Sequence, residues 1–182
     1  TLVTFCSDNG PEGKAGSAPG SAGHLNGRKR DLLEGGIRVP GLIEWPGKIR
    51  PGNTTMPAVT SDYLPTILDL IGAKPVGDRP LDGISLRPLF NGAMKNRGQS
   101  IGFQSAGQVA LIGDRFKLWG RAGDKQVDKL PPLKLFDLVN DPGEKTNIAA
   151  QHPEVLARMI LELKAWRASV QTSDRGVDYP AK

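Results

Sequence analysis

The chain has 182 residues, a formal net charge of +5, and 38% hydrophobic and 24% charged residues, which predict a folded core and argue against wholesale disorder. Its 23 glycines and 15 prolines favour many loops over a helical bundle, and its single cysteine excludes an internal disulfide. The positive charge favours anionic partners, but aromatic residues make up only 5% and basic residues are spread along the chain, so we expect no nucleic-acid surface.

The first predicted element is a strand over residues 2–6, a short apolar run that we expect to be buried. It ends at the turn sequence Asp-Asn-Gly-Pro of residues 8–11. Residues 12–26 are rich in Gly, Ala, Ser and Pro, which predicts a surface loop. The glycines of residues 34–36 predict a turn with close backbone approach. Strand-like segments follow at residues 37–39 and 42–45.

A helix is predicted from about Tyr63 to Ile71, where apolar residues recur at helical spacing. Ser61 or Asp62 can cap its start, and Gly72 can end it. Residues 85–90 predict a short helical turn.

The pattern changes near residue 98, where we place a boundary between two units, residues 1–98 and residues 99–182. The second unit is predicted to be a small antiparallel sheet covered by one amphipathic helix. Its elements are a hairpin of residues 108–112 and 115–119 around a Gly-Asp turn, a strand over residues 133–138, and a helix from Pro153 to about residue 170.

The polar end of the first strand is a candidate cation site. Asp8 and Asn9 follow the strand directly, and the break at Gly10 and Pro11 allows both side-chain oxygens to converge. Carboxylate and amide oxygens suit a hard cation such as calcium or magnesium, which would need further oxygens from elsewhere. The alternative is an ordinary turn, because Asp-Asn-Gly is also a common turn sequence.

Several short motifs extend over nearly the whole chain. They are Ser7-Asp8-Asn9-Gly10-Pro11, Gly23-His24-Leu25-Asn26-Gly27-Arg28-Lys29, Glu34-Gly35-Gly36-Ile37-Arg38-Val39-Pro40-Gly41, Trp45-Pro46-Gly47, Ser61-Asp62-Tyr63-Leu64-Pro65-Thr66-Ile67-Leu68, Leu81-Asp82-Gly83-Ile84-Ser85-Leu86, Leu135-Phe136-Asp137-Leu138 and Asn140-Asp141-Pro142-Gly143-Glu144. In order and spacing, these motifs resemble the C-terminal half of the type I sulfatases.

The resemblance implies an α/β fold in which residues 1–98 are the end of an alkaline-phosphatase-like catalytic domain. It implies that Asp8 and Asn9 are ligands of calcium, in preference to magnesium, and that Lys29 contacts the sulfate of the substrate. A divalent cation and an ammonium group are suited to neutralising the charge on sulfate oxygens as the ester bond breaks. Similar sulfatases are commonly exported, so the resemblance implies a periplasmic or extracellular location.

Two neighbours of Lys29 are further candidates for substrate contact. His24 could act as an acid or electrostatic aid near a leaving oxygen, although it can equally be an ordinary loop residue. Arg28 could recognise an anionic group of a sugar, although a run of three cations is more often a solvated surface.

The nucleophile of the family is a formylglycine made from Cys or Ser in a Cys/Ser-x-Pro-x-Arg motif. Cys6 is followed by neither the Pro nor the Arg, and the sequence after Ser17 has the Pro but lacks the Arg. We therefore expect the nucleophile to lie outside this chain, which would be a C-terminal portion that is inactive alone. The expected substrate is a sulfated small molecule or glycan.

Two other functions stay open from the sequence. The chain could be a non-catalytic module that binds a divalent cation or a sulfated glycan without turnover. It could instead belong to a phosphoesterase of the same superfamily. No apolar run approaches the roughly 20 residues that would span a bilayer.

Overall fold

The structure is a computed structural model that describes residues 1–13, 19–77, 80–122 and 130–178. Its first part contains strand β1 (Val3–Cys6), the short helix α1 (Glu34–Ile37), strand β2 (Gly41–Glu44) and helix α2 (Tyr63–Ile71). β1 and β2 form a two-stranded antiparallel sheet in which Phe5 lies opposite Leu42. Two single turns of 3-10 helix occupy Thr60–Asp62 and Arg87–Leu89.

The second part is an antiparallel sheet with a long helix. Its strands are β3 (Ile101–Ser105), β4 (Gln108–Ile112), β5 (Phe116–Arg121) and β6 (Leu133–Asp137), and the helix α3 covers Pro153–Asp174. The strand order is β3-β4-β5-β6, so each strand pairs with the next along the chain. The predicted mixed α/β class, with a small antiparallel sheet and one packed helix, is confirmed. No helix in the described ranges is long and apolar enough to cross a membrane.

Both faces of the four-stranded sheet are covered. Cross-strand partners share a face, and Leu111 lies opposite Leu118 whereas Gln108 lies opposite Arg121. The face of Leu111 and Leu118 packs against α3, and the main core there comprises Val109, Leu111, Leu118, Leu135, Met159 and Leu163. The opposite face carries Gln108, Lys117 and Arg121, whose side chains contact residues 30–34.

Several predicted elements have the predicted bounds. α2 covers the predicted residues and ends at Gly72, whose φ of 67° is in the left-handed region that closes many helices. The predicted hairpin is β4 and β5, and the helix that starts at Pro153 continues to Asp174, four residues past its predicted end. The predicted boundary near residue 98 stays a prediction.

Three expectations about the elements were wrong. β1 is not buried, because Val3 is 53% and Phe5 59% exposed on a face of the two-stranded sheet that no described element covers. Ile37 ends the helix α1, so residues 37–39 are not a strand. Strand β3 was not predicted, because its sequence is half polar and includes Gly102.

A buried ion pair connects Asp62, at the start of α2, to Arg97, in the segment that precedes β3. The guanidinium of Arg97 donates to both carboxylate oxygens of Asp62, over 2.6 and 2.8 Å, and both side chains are at most 1% exposed. The same carboxylate accepts the backbone N–H groups of Val59 and Ile84, each at 2.9 Å. Asp62 therefore braces this junction, and its side chain makes no capping hydrogen bond to α2.

Candidate functional site

The turn of residues 8–11, which is the candidate cation site, lies next to the loop of residues 27–33, here called the Lys29 loop. The backbone N–H of Lys29 donates to the carbonyl oxygen of Pro11 over 3.1 Å. The N–H of Gly10 donates to the carbonyl oxygen of Gly36 in α1 over 2.9 Å. Two hydrogen bonds thus connect the residues after β1 to segments that lie 18 and 26 residues later in the chain.

The glycines of α1 allow these segments to touch. A Cβ on Gly10 would lie 1.9 Å from the carbonyl oxygen of Gly35. A Cβ on Gly36 would lie 2.1 Å from the carbonyl oxygen of Asp31 and 2.4 Å from that of Arg28. Because real Cβ atoms do not approach backbone this closely, only glycine fits between the turn and the loop. The Gly-Gly step therefore sets the distance between the two halves of the candidate site.

Asp8 and Asn9 bring their side chains together at the end of β1. The Asn9 amide donates to a carboxylate oxygen of Asp8 over 2.5 Å, and the Ser7 hydroxyl donates to the carbonyl oxygen of Asn9 over 3.2 Å. Asp8 is exposed, so its carboxylate can be reached from solvent. The oxygens have the chemistry that calcium prefers, but they are two of the six to eight ligands it takes. Within the described ranges, no group of three or more His, Cys, Asp or Glu side chains could hold a metal.

Lys29 faces the acidic side chain of Glu12, the first residue of the Gly-rich loop. Its ammonium lies 3.5 Å from a carboxylate oxygen of Glu12, and its side chain is 39% exposed. Arg30 also contacts this carboxylate, and that hydrogen bond holds the pKa of Glu12 below its ordinary value. Glu12 is thus an internal counter-ion of the cationic run, and an external anion that binds Lys29 competes with it.

Arg28 and His24 differ in how firmly they are held. The Arg28 guanidinium donates to the carbonyl oxygens of Glu12 (2.9 Å) and Gly20 (3.3 Å), so it connects two residues of the Gly-rich loop. His24 is exposed in a turn, and within the described residues its imidazole has no hydrogen-bond partner. The Arg28 contacts favour a role in loop structure, and no contact ties His24 to Lys29.

A buried ion cluster, which no sequence motif indicated directly, supports the site from the four-stranded sheet. The ammonium of Lys117 on β5 lies 2.8 Å from Glu34 and 2.9 Å from Glu144, and all three side chains are at most 5% exposed. The backbone N–H of Glu34 donates to the second oxygen of Glu144 over 2.6 Å. Burial raises the pKa of Glu144, against the lowering effect of Lys117. This cluster fixes the first residue of α1.

The available signals for this cluster were weak. Lys117 stands among apolar neighbours in a predicted strand, and Glu34 and Glu144 each belong to one of the motifs. A lysine among apolar strand residues is usually exposed on the solvent face. Pairing it with two particular glutamates requires knowledge of the tertiary structure.

The family model for sulfatases matches residues 1–73. Arylsulfatase A of Homo sapiens is 38% identical over 182 aligned residues, which cover 86% of this chain and 36% of that protein. A solved Bacteroides thetaiotaomicron structure, described with the metabolism of multiple glycosaminoglycans, has a TM-score of 0.73 at 26% identity and covers 94% of this chain and 39% of its own. The structure of phosphonate monoester hydrolase of Agrobacterium radiobacter has a TM-score of 0.58 at 25% identity, and the match covers 91% of this chain and 35% of that one.

The chain spans about a third of the length of the relatives it matches. The matches nevertheless cover most of this chain, 86% for the human arylsulfatase A and 94% for the Bacteroides structure. The structural neighbours also confirm the expected alkaline-phosphatase-like sulfatase fold. Motif order, family model and fold agree, and the chain belongs to the type I sulfatase family.

Proposed function

We propose that this chain provides the cation-binding and sulfate-binding side of a sulfatase site that hydrolyses sulfate monoesters. The observation that supports this most directly is the hydrogen bond between the Lys29 N–H and the carbonyl oxygen of Pro11. It brings the Lys29 loop next to the turn that carries Asp8 and Asn9. A cation and an ammonium group on one sulfate would require this proximity.

In this proposal, Asp8 and Asn9 hold calcium through side-chain oxygens. Magnesium suits the pair less, since it demands near-ideal octahedral geometry and gives up its water reluctantly. Bound calcium would neutralise negative charge on the sulfate oxygens. The remaining ligands would come from water, from the substrate or from residues outside the described ranges.

Lys29 binds a sulfate oxygen as a mobile point charge, after the substrate has displaced Glu12 from its ammonium. The 3.5 Å separation of Lys29 and Glu12 is longer than a strong charge-assisted hydrogen bond, and both side chains are partly solvated. Ion pairs between groups this exposed to water contribute little to stability, so the substrate can displace Glu12 readily.

The nucleophile is proposed to be a formylglycine that these 182 residues do not supply, since the sequence contains no Cys/Ser-x-Pro-x-Arg motif. The substrate class is proposed to be aryl sulfates or sulfated sugars, and a periplasmic or extracellular location is proposed from the family resemblance. His24 and Arg28 are retained as proposed substrate contacts. An Arg28→Ala variant with unchanged selectivity among sulfated substrates would remove Arg28 from this set.

The test is sulfatase activity of the protein as its complete gene encodes it. We expect hydrolysis of an aryl sulfate that calcium chelation weakens, and a loss of about 100-fold or more in kcat/KM for Lys29→Ala, the scale on which one preorganised charge contact contributes. Lys164→Ala, which removes an exposed lysine of α3, is the matched control and should stay within about twofold. Activity that is indifferent to Lys29→Ala would refute the assigned role.

Two other functions are alternatives that the same assay tests. The similarity to a phosphonate monoester hydrolase favours a phosphoesterase, which would prefer phosphate or phosphonate esters to sulfate esters in the same assay. The second alternative is the non-catalytic module that binds a divalent cation or a sulfated glycan. Calcium-dependent retention of sulfated glycan, with no turnover of any ester by the complete protein, would identify that function.

A further inference from the structure

The side chain of Gln108 on β4 connects the four-stranded sheet to the Lys29 loop. Its amide oxygen accepts the backbone N–H of Leu32 at 3.1 Å, and its amide nitrogen donates to the carbonyl oxygen of Arg30 at 2.8 Å. Gln108 is only 2% exposed. One buried amide therefore satisfies two backbone groups just after Lys29.

The backbone that Gln108 contacts is in an unusual conformation. Arg30 has a φ of 79°, in the left-handed region that residues with a side chain rarely adopt. Arg30 and Leu32 lie between Lys29 and α1, outside any helix or strand. A strained loop residue persists only where its surroundings hold it. The two hydrogen bonds from Gln108 are such a constraint.

Other contacts hold the segment on either side of Gln108. The Lys29 N–H is fixed to Pro11, and Glu34 is fixed by Lys117. The Arg121 guanidinium adds a 2.5 Å contact to Asp31 from the same sheet face. Among the buried contacts, those of Gln108 are nearest to Lys29 in sequence. They therefore have the most direct effect on the position of the Lys29 backbone, from which its side chain extends.

We propose that Gln108 is a positioning residue for Lys29, one that acts on the sulfate contact through the loop backbone. The inference rests on the proposed function for its kinetic consequence. Gln108 itself touches no substrate in this proposal. Truncating it leaves the buried N–H of Leu32 and the partly buried carbonyl oxygen of Arg30 without their partner, and the loop then departs from the conformation that orients Lys29.

The experiment compares Gln108→Met with Gln104→Met in the complete protein. Methionine keeps most of the glutamine volume and removes both hydrogen bonds. Gln104 lies on the adjacent strand β3, is exposed and contacts Arg167, so its substitution is the same chemical change away from the loop. Gln108→Glu, which keeps the acceptor for the Leu32 N–H, replaces Gln108→Met if that variant fails to fold.

Two readouts are needed. Hydrogen exchange should become at least about tenfold faster in residues 29–34 of Gln108→Met, with little change elsewhere and none in Gln104→Met. On an aryl sulfate, Gln108→Met should lower kcat/KM by about 10- to 100-fold in the otherwise unaltered protein. In a Lys29→Ala background, the same substitution should lower it by less than about threefold, because the group it positions is gone.

An equal loss in both backgrounds would overturn the inference, since Gln108 would then act without Lys29. Unchanged exchange in residues 29–34 would also overturn it. If the unaltered protein hydrolyses no sulfate ester, the proposed function is what fails, and the exchange of residues 29–34 alone decides whether Gln108 holds the loop.

Discussion

Lys117→Met tests whether the buried ion cluster under α1 stabilises the protein. Lys117 is fully buried, and its ammonium lies 2.8 Å from Glu34 and 2.9 Å from Glu144. Removing it leaves two buried carboxylates without their main counter-charge. Breaking a buried ion pair in this way typically costs about 3–5 kcal/mol. Arg38, 3.6 Å from Glu34 but half exposed, offsets only part of the loss.

The pH dependence of this loss has a definite sign. Burial already raises the pKa of Glu144, and removal of Lys117 will raise it further. A carboxyl group with a raised pKa in the folded state favours folding below its unfolded pKa, and this contribution is lost as the pH rises through the folded value. The variant should therefore be closer to the unaltered protein at pH 5 than at pH 7.5.

The assay is urea unfolding followed by tryptophan fluorescence at both pH values. We expect Lys117→Met to lose about 3–5 kcal/mol at pH 7.5, and Lys117→Met/Glu144→Gln to recover part of it, because the amide still accepts the Glu34 N–H. Lys134→Met, at an exposed position on β6, is the control and should lose less than about 1 kcal/mol. A loss for Lys117→Met that is below about 1 kcal/mol, or equal at the two pH values, would refute the reasoning.

Two further predictions concern the site and acid stability. Gly36→Ala should lower the free energy of unfolding in urea by at least about 2 kcal/mol, because its Cβ would lie 2.1 Å from the Asp31 carbonyl oxygen. The control Gly41→Ala, whose Cβ would have no atom within 4 Å, should stay within about 1 kcal/mol. Similar losses in the two variants would contradict this prediction. The hydrogen bond from Arg115, together with weaker ones from Asn140 and Val139, lowers the pKa of Asp137 from 3.8 to about 2. Ionised Asp137 should therefore stabilise the protein above pH 4, by on the order of 1 kcal/mol after solvent screening. That contribution should vanish between pH 4 and pH 2 in acid unfolding and be absent in Asp137→Asn; a pH-independent difference between the two proteins would speak against it.

The predictable parts of the fold are those that local sequence determines. α2 has apolar residues at helical spacing and a glycine at its end, and the β4–β5 hairpin has two apolar runs around a Gly-Asp turn. β3 lacks such a signal, because its last two residues are polar and exposed, and it is a strand through its pairing with β4. Tertiary pairing, which sequence periodicity does not report, determines that element.

The candidate site divides in the same way. Asp8, Asn9 and Lys29 were identified from motifs, and the structure brings their segments together. The support from Gln108 and Lys117 was not predicted, because it depends on which residues cover the second face of the sheet. That face is covered by residues 30–34, and contacts of that kind link positions 76 to 110 residues apart.

This separation has a consequence for the order of events during synthesis. The Glu34 N–H bonds to Glu144, 110 residues later in the chain. At elongation rates of about 5–20 residues per second, Glu34 waits on the order of 5–20 s before its partner leaves the ribosome. The segment that carries Lys29 therefore completes its folding only after the last sheet strand has been made. A premature stop or a destabilised β6 would leave Asp8, Asn9 and Lys29 chemically intact, yet unassembled.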